Sequence, residues 1–595
     1  SLIRGTNGTS SGAIPFLKIF NDVARAFNQG GKRLGSFAAY IEPHHPDIIE
    51  FLSLRRNYGD ENIRTRDLFL ALWVSDLFMQ RVKDDESWSL FDPDRCPGLS
   101  DIYGDEYKRL YEKYETKGYA YKTIRAREIW YTIFTTQKES GLPYILYKDT
   151  INKRSNQKNI GTIKSSNLCT EIVEYSDSNE YAVCTLGSIC LPNFVFDSYS
   201  EEENEQYLKS KKNNSHTSHG KISGDECGVI DNKSVDYCEV IDGKSVDVSN
   251  ETPNVNYKRR KLDHEFPTNP VFDFIKLMDV VGVLCYNLNN CIDKNWYPVP
   301  ETEVSNFKHR PMGIGVQGLA DVFFKFRYTF DSEKAKELNK KIFETIYYAA
   351  LSKSSGMSKD IYKTYKNKCK IDGNVNVQKP ILNSDIIIGD KVNYDKPENI
   401  PTNIGAYPTY LLNEGSPISK GIFHWELCGI KKDELSGICD WDSLRAHIIK
   451  FGVRNSLLVA PMPTASTSQI MGNNECFEPH TSNIYKRKTL AGEFIIINKY
   501  LLHDLNKLNL WSKDIENYMK VNNGSIQGID YIPIELRNLY KTVWEIPQKV
   551  LINLSADRTP FVDQSQSLNL FIEDLTFQKF NNIHFYGWGK GLKTG

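Results

Sequence analysis

The stretch SSNLCTEIVEY (165–175) sets an amide, a thiol and a carboxyl at alternating positions: Asn167, Cys169 and Glu171. In an extended chain residues i, i+2 and i+4 face one side, each step covering ~6.6 Å. The three would then form one row, near the width of a sugar ring. It would hold a hydrogen-bonding amide, a reactive sulfur and an acid/base. A second thiol, Cys184, follows in EYAVCTLGS (180–188), thirteen residues past Glu171, a spacing that suits a hairpin returning to the same pocket. In PMPTAST (461–467) a proline-broken apolar strand runs into Thr464, Ala465, Ser466 and Thr467, and a helix begins. Small residues, unpaired first-turn N–H groups and hydroxyls can cradle a phosphate; Ser and Thr are also ordinary N-caps. Alone, NLCTE is the pattern of a half-buried strand with a packed, inert cysteine. Together, the thiols, the acid, the amide and the cradle suit radical or redox work on a phosphorylated sugar.

Other motifs carry less. GIGVQG (313–318) matches the GxGxxG fingerprint, but FKHRPM rather than an apolar strand precedes it, so close packing or a turn is the better reading. EPHHPD (42–47) offers His44, His45 and Asp47; adjacent histidines diverge and no partner cluster accompanies them, so no metal site is expected. GTNGTSSG (5–12) and NQGGKRLGS (28–36) are glycine-rich loops bracketing the first helix. Such loops, here with a Lys-Arg pair, can hold a nucleotide phosphate or gate a pocket, or simply connect.

The elements that must position these groups follow from periodicity. Ile14, Leu17, Phe20, Ala24 and Phe27 recur at helical spacing and stop at Gly30-Gly31. SFAAYIE (36–42) reads as a strand, and LFLALWVSDLFMQRVKD (68–84) as a buried apolar run joined to an amphipathic helix. EYKRLYEKYETKG and REIWYTIFTTQKESG are helices with glycine stops. VFDFIKLMDVVGVLCYNLNNCID (271–293) reads as a long buried helix, and SLLVAPMPTASTSQIMG (456–472) as strand, turn and helix start. Alternating strands and helices predict an α/β fold with parallel strands. Two stretches, about 197–266 and 363–408, lack apolar periodicity and read as disordered insertions into surface loops. The first contains the near-duplicate VIDNKSVD and VIDGKSVD, the cluster KRRK (258–261), Cys227 and Cys238, none of which is assigned chemistry.

With 74 Lys+Arg against 75 Asp+Glu, the net charge of −1 gives no case for a nucleic-acid or membrane partner. No apolar run reaches membrane-spanning length. Twelve cysteines without a CxxC pair or a secretory signal fit free thiols in a reducing cytosol.

SSNLCTEIVEY, AVCTLGS, RPMGIGVQGLADVF, RNSLLVAPMPTASTSQIMGNNE and HFYGWGKGLKTG, in this order, resemble the large, catalytic subunit of class I ribonucleotide reductase of the eukaryotic type. The resemblance spans residues 1–595 apart from the two insertions. It implies a single domain, a ten-stranded α/β barrel incomplete at its N-terminal side, whose central finger loop carries Cys169 at the tip. It also implies reduction of ribonucleoside diphosphates to deoxyribonucleotides. Cys169 would be the thiyl radical that takes the 3′ hydrogen, Glu171 the acceptor of the 3′-hydroxyl proton and Asn167 the substrate-orienting amide. Cys184 would be half of the reducing pair, and Pro463, Thr464, Ala465, Ser466 and Thr467 the diphosphate cradle. The loop 28–36 would be the specificity loop, with Gln29, Lys32 and Arg33 its working side chains, and Arg4 and Gly5 would lie near the effector. This loop is one residue shorter than the family pattern and has Leu34 where proline is common; Arg4 replaces a usually small residue.

The same resemblance implies no cofactor or metal bound in this subunit, ATP and deoxynucleotides as effectors, and a radical supplied by a di-metal small subunit. It further implies thioredoxin or glutaredoxin as reductant, a homodimer or higher oligomer, and a cytoplasmic location. The chain starts at Ser1 and stops at Gly595, so the other reducing cysteine, the ATP-sensing domain, the radical-transfer tyrosine pair and the cysteine tail are expected outside it. The segment alone is expected not to turn over. Two rivals remain: a non-catalytic nucleotide-binding paralogue or scaffold, and a cysteine hydrolase, for which Glu171 is a poor base.

Overall fold

The computed structural model describes residues 2–3, 5–6, 8–29, 33–197, 269–378, 391–489 and 492–595. Contacts divide the chain into one unit of 1–194 with 273–595 and a second of 195–272. In the second, Val195–Asp197 pairs antiparallel with Pro270–Phe272. Apart from Asp197, the expected insertion at 197–266 lies outside the described residues, KRRK, Cys227 and Cys238 with it.

In the larger unit Phe37–Ile41, Leu68–Val74 and Tyr144–Tyr147 form a parallel sheet, Phe37 opposite Leu68 and Ala71 opposite Tyr144. The central strand is apolar on both faces, as a strand covered on both sides must be. Leu68, Leu70, Leu72 and Val74 enter a core with Phe78, Trp88 and Trp130. Ala71 and Trp73 point the other way, into a smaller cluster with Leu146, Ile163 and Val173. Ile163 and Val173 flank the Cys169 segment, so this inner face carries the candidate site. Helices cover the outer face. Ser75 caps Asp76–Asp84 by accepting from Phe78 N at 3.2 Å, and Ala126–Ser140 stops at Gly141 in the left-handed conformation.

Leu186–Cys190 pairs in parallel with Gly313–Gln317, and Ile314 bridges in parallel to Val459. GIGVQG is thus itself a strand. A Cβ on Gly313 would lie 2.5 Å from Leu186 Cδ2, and one on Gly315 2.5 Å from Met462 Sδ, so these glycines serve close packing. The first sheet is joined by Thr594 through an antiparallel bridge to Leu146. Parallel strands with covering helices give the expected α/β class. Among the described residues the strands form separate ladders.

Three expectations need correction. The long helix is Phe274–Lys294, preceded by a short strand, and only one face is buried: Leu277, Val281, Cys285, Leu288 and Ile292 point inward while Val283 and Tyr286 are exposed. The strand expected in 456–472 shrinks to the bridge at Val459. The stretch 363–408 is ordered where it is described. The helix Glu333–Asp372 runs into it, and Val375–Gln378 pairs with Lys391–Tyr394. Cys369, Val375, Val377, Ile400 and Ile404 form a small core of their own. These apolar residues are too widely spaced along the chain to register as a periodic pattern, and only pairing brings them together.

Candidate active site

Asn167, Cys169 and Glu171 do not form a β row. Thr170 N donates to Asn167 O at 3.4 Å, and Thr170 takes a left-handed φ of 67°. Residues 167–170 are therefore a turn at a loop tip. Contacts within the loop win over extension: Ser166 Oγ donates to Ile172 O at 2.6 Å, and Asn167 Oδ1 accepts from Ile172 N at 3.2 Å. Tyr40 OH, from the first sheet, donates to Asn167 O at 2.7 Å. The returning limb is tied down by Ser565 N to Glu171 O at 2.9 Å, Val173 N to Gln564 Oε1 at 3.0 Å and Tyr175 N to Gln157 Oε1 at 2.7 Å.

The turn leaves Cys169 half-buried and Glu171 only 2% exposed. Burial lifts the Glu171 carboxyl above its ordinary range, a shift tempered by its own backbone N–H and by the Asn167 side chain. One oxygen, Oε2, meets no donor among the described residues. Burial likewise raises the Tyr40 and Tyr144 phenols, and the nearby Cys169 adds to both. The half-buried sulfur thus lies near two phenols, and the Glu171 charge also reaches one of them, Tyr40.

Cys184 returns to the group without a hairpin. Residues 176–185 are an irregular loop held by Asp177 N to Glu180 O at 2.9 Å and by a 2.9 Å contact between His309 Nε2 and Glu180 Oε2. Cys184 is exposed at the protein surface, although the protein packed around its sulfur, then Glu174 and Glu171, push the thiol up to about 11. The strand Leu186–Cys190 starts just beyond it, and Ser188 Oγ lies 3.5 Å from Thr467 Oγ1. This links the expected cradle to the thiol pocket. In the cradle Thr464 has a left-handed φ of 54°, and its hydroxyl accepts from Cys476 N at 2.8 Å. Thr464 is therefore turned inward and Pro463 is half-buried, while Ala465, Ser466 and Thr467 are exposed at the start of Thr467–Met471.

The residues expected to meet an effector lie in the segments before and after Ile14–Ala26. Leu2–Ile3 pairs with Gly8–Thr9, Gly5 turning between them with φ 87°. Asn28–Gln29 pairs antiparallel with Arg33–Leu34, within the loop expected to set specificity. Arg4 and Lys32 lie outside the described residues; for Gln29 and Arg33 the backbone alone is described. His44, His45 and Asp47 all have internal partners: Tyr107 OH at 3.1 Å, Asp47 N at 3.1 Å and Ala13 N at 2.7 Å.

Sequence reading missed Tyr40, Tyr144, Gln564 and Glu174. Glu174 stood in the quoted stretch, at the position where alternation would turn it away from Cys169. The other three come from distant parts of the chain.

A half-buried thiol on a projecting turn, backed by a buried carboxyl and a second thiol, defines a class: an α/β scaffold presenting thiol and carboxyl chemistry on a loop. A family model described as ribonucleotide reductase, barrel domain, matches residues 1–219 and 254–595. The chain belongs to this family. It is 45% identical over 596 residues to the ribonucleoside-diphosphate reductase large chain of Cryptosporidium parvum, covering all of this chain and 60% of that protein. It is equally similar to the large subunits of Arabidopsis thaliana and Caenorhabditis elegans, 45% identical over 596 residues, covering 61% and 60% of them. The chain spans about three fifths of the length of the curated relatives it matches.

Proposed function

We propose that this chain is the barrel part of the large, catalytic subunit of a ribonucleoside-diphosphate reductase that makes deoxyribonucleoside diphosphates by thiyl-radical chemistry. The observation that carries the reading is the turn of 167–170 presenting a half-buried Cys169, followed two residues on by the buried Glu171. Cys169 takes the 3′ hydrogen of the ribose. Glu171, one of whose oxygens meets no donor among the described residues, accepts the 3′-hydroxyl proton, and Asn167 orients that hydroxyl. Cys184 is one of two thiols that supply the reducing electrons. Pro463, Thr464, Ala465, Ser466 and Thr467 hold the diphosphate, chiefly through the exposed first-turn N–H groups. Thr464 contributes its inward bond to the shape of the turn.

One domain over 1–595 closes as a ten-stranded α/β barrel around the Cys169 loop. The two parallel ladders and their bridges to Val459 and Thr594 support that closure. The segments of the chain that contain Arg4, Gly5, Gln29, Lys32 and Arg33 bind a deoxynucleotide or ATP effector. The helix between them exposes Phe16, Ile19 and Phe20 on one face, as a homodimer contact would require. The radical comes from a di-metal small subunit, and thioredoxin or glutaredoxin restores the thiols. The location is cytoplasmic, with no membrane or nucleic-acid partner; among the described residues no helix is long and apolar enough to cross a membrane.

The test is a reductase assay of the full-length gene product with small subunit, dithiol reductant and effector. Effector-dependent formation of deoxyribonucleoside diphosphate is expected. Nucleotide binding without turnover would overturn the proposal and mark a non-catalytic paralogue.

A further inference from the structure

The stretch 363–408, to which the proposed chemistry gives no task, contributes most of a cavity of about 170 Å³. The cavity lies between the helix Glu333–Asp372, the strand Val375–Gln378 and the segment 403–411. Tyr365, Val377, Tyr407 and Tyr410 give it aromatic and apolar walls, and Asn403 adds an amide. Tyr407 and Tyr410 meet edge to face, their ring centroids 5.5 Å apart. Their hydroxyls are engaged with other partners, Asn156 Nδ2 and Ile448 O, each at 3.3 Å, so they offer ring surface. Among the described residues Arg454 is the one charged side chain in the lining.

Arg454 is short of acceptors. A guanidinium carries five N–H donors, and the hydrogen bond this one makes among the described residues is a long one, Nη1 to Gly405 O at 3.4 Å. No carboxylate among them pairs with it: Asp293, the acid whose charge reaches it, is held by Arg310 Nη1 at 2.6 Å. The residue is half-buried, and its backbone is fixed, Arg454 N donating to Ser354 O at 3.1 Å and Asn455 Nδ2 to Arg310 O at 2.9 Å. Enclosing a cation without an anion is costly; burial first, then the charge of Arg310, pull Arg454 down to about 9. The guanidinium fork matches the paired oxygens of a phosphate or carboxylate. The cavity has room for one such group.

We propose that this cavity binds a small oxyanion, a phosphate or a carboxylate group, held by Arg454 and flanked by the tyrosine rings. None of its lining residues belongs to the Cys169 turn, to the 463–467 cradle or to the segments proposed to bind an effector, so this is a further site. The inference does not rest on the reductase reading.

The test is labelling of arginines by phenylglyoxal in the full-length protein, read at Arg454 by peptide mass spectrometry. Inorganic phosphate and benzoate are the probes, with ionic strength held constant by sodium chloride. A bound anion shields the guanidinium, so a probe at about ten times its dissociation constant is expected to slow labelling about tenfold, by mass action. Protection by phosphate alone assigns a phosphate group, and protection by benzoate alone a carboxylate on a flat body; either supports the proposal. Asn403→Phe, which fills the cavity and leaves Arg454 in place, is expected to abolish the protection. Protection that survives this variant would overturn the proposal, and should the variant fail to fold the wild-type labelling decides. Labelling that neither probe slows would overturn it, as would equal slowing by chloride, which would mark charge screening. An Arg454 that resists labelling without any probe would also overturn it, because its charge would then be met within the protein. No readout uses turnover, so a failed reductase assay leaves this site untouched.

Discussion

Replacing Cys169 by serine is expected to bring ribonucleotide reduction by the full-length holoenzyme to background, a loss exceeding about four orders of magnitude. Serine keeps the size and the hydrogen-bonding shape of cysteine, but its O–H bond is too strong to serve as a radical shuttle for a ribose C–H. The turn itself depends on backbone and neighbouring side chains: the contact from Thr170 N, the Ser166 and Asn167 bonds to Ile172, and Tyr40. None of these needs the sulfur. Stability is therefore expected to change by less than about 1 kcal/mol, as for a half-buried site outside the core. The checks are turnover of nucleoside diphosphate and the thermal midpoint, measured on the same preparation. Residual turnover of more than a few per cent would contradict the role given to Cys169.

Glu171→Gln is expected to lower kcat by about 10²–10⁴-fold, the range for removing a positioned general base, with KM little changed because the amide still fills the pocket. The pH dependence has a definite sign. The base works only when ionised, and burial holds its pKa above the ordinary carboxylate value, so wild-type activity should fall as pH drops through that raised value. The variant should lack this limb. Stability follows the same linkage. A carboxyl whose folded pKa exceeds its unfolded one contributes stability fully below the unfolded value, and that contribution is lost as pH rises through the folded value. Above that folded value the wild type has lost it, and there Glu171→Gln should be no less stable than wild type. A variant that loses activity and melts several degrees lower would instead point to a structural acid.

The sequence names the residue types of the candidate site, and its geometry was only partly legible. Residue types in NLCTE suggest an amide, a thiol and an acid acting together; in the structure Asn167 and Cys169 share a turn, and the Asn167 side chain reaches the Glu171 carboxyl. The reason given from alternation was wrong, because a left-handed Thr170 and local side-chain bonds fold the stretch into a turn. Alternation would also turn Glu174 away from Cys169, and its partner Gln564, 390 positions away, is a contact that no local pattern predicts. Helices such as Ala126–Ser140 were legible because a repeating apolar stripe and a terminal glycine are local signals. The hairpin of Val375–Gln378 with Lys391–Tyr394 was not, since its small core is assembled from residues that no local pattern joins. Tyr40 and Tyr144 reach the sulfur only through the pairing of parallel strands, which a single sequence does not reveal.

A crystal structure of the full-length large subunit with a ribonucleoside diphosphate and an effector would test the central claim most directly. The ribose should lie over the 167–170 turn with C3′ within about 3.5 Å of Cys169 Sγ, the distance of a reacting pair. The Glu171 carboxyl should meet the 3′ oxygen, and the terminal phosphate should rest on the N–H groups of 465–467. A nucleotide bound with its sugar away from Cys169, or with its phosphates held elsewhere, would contradict the account.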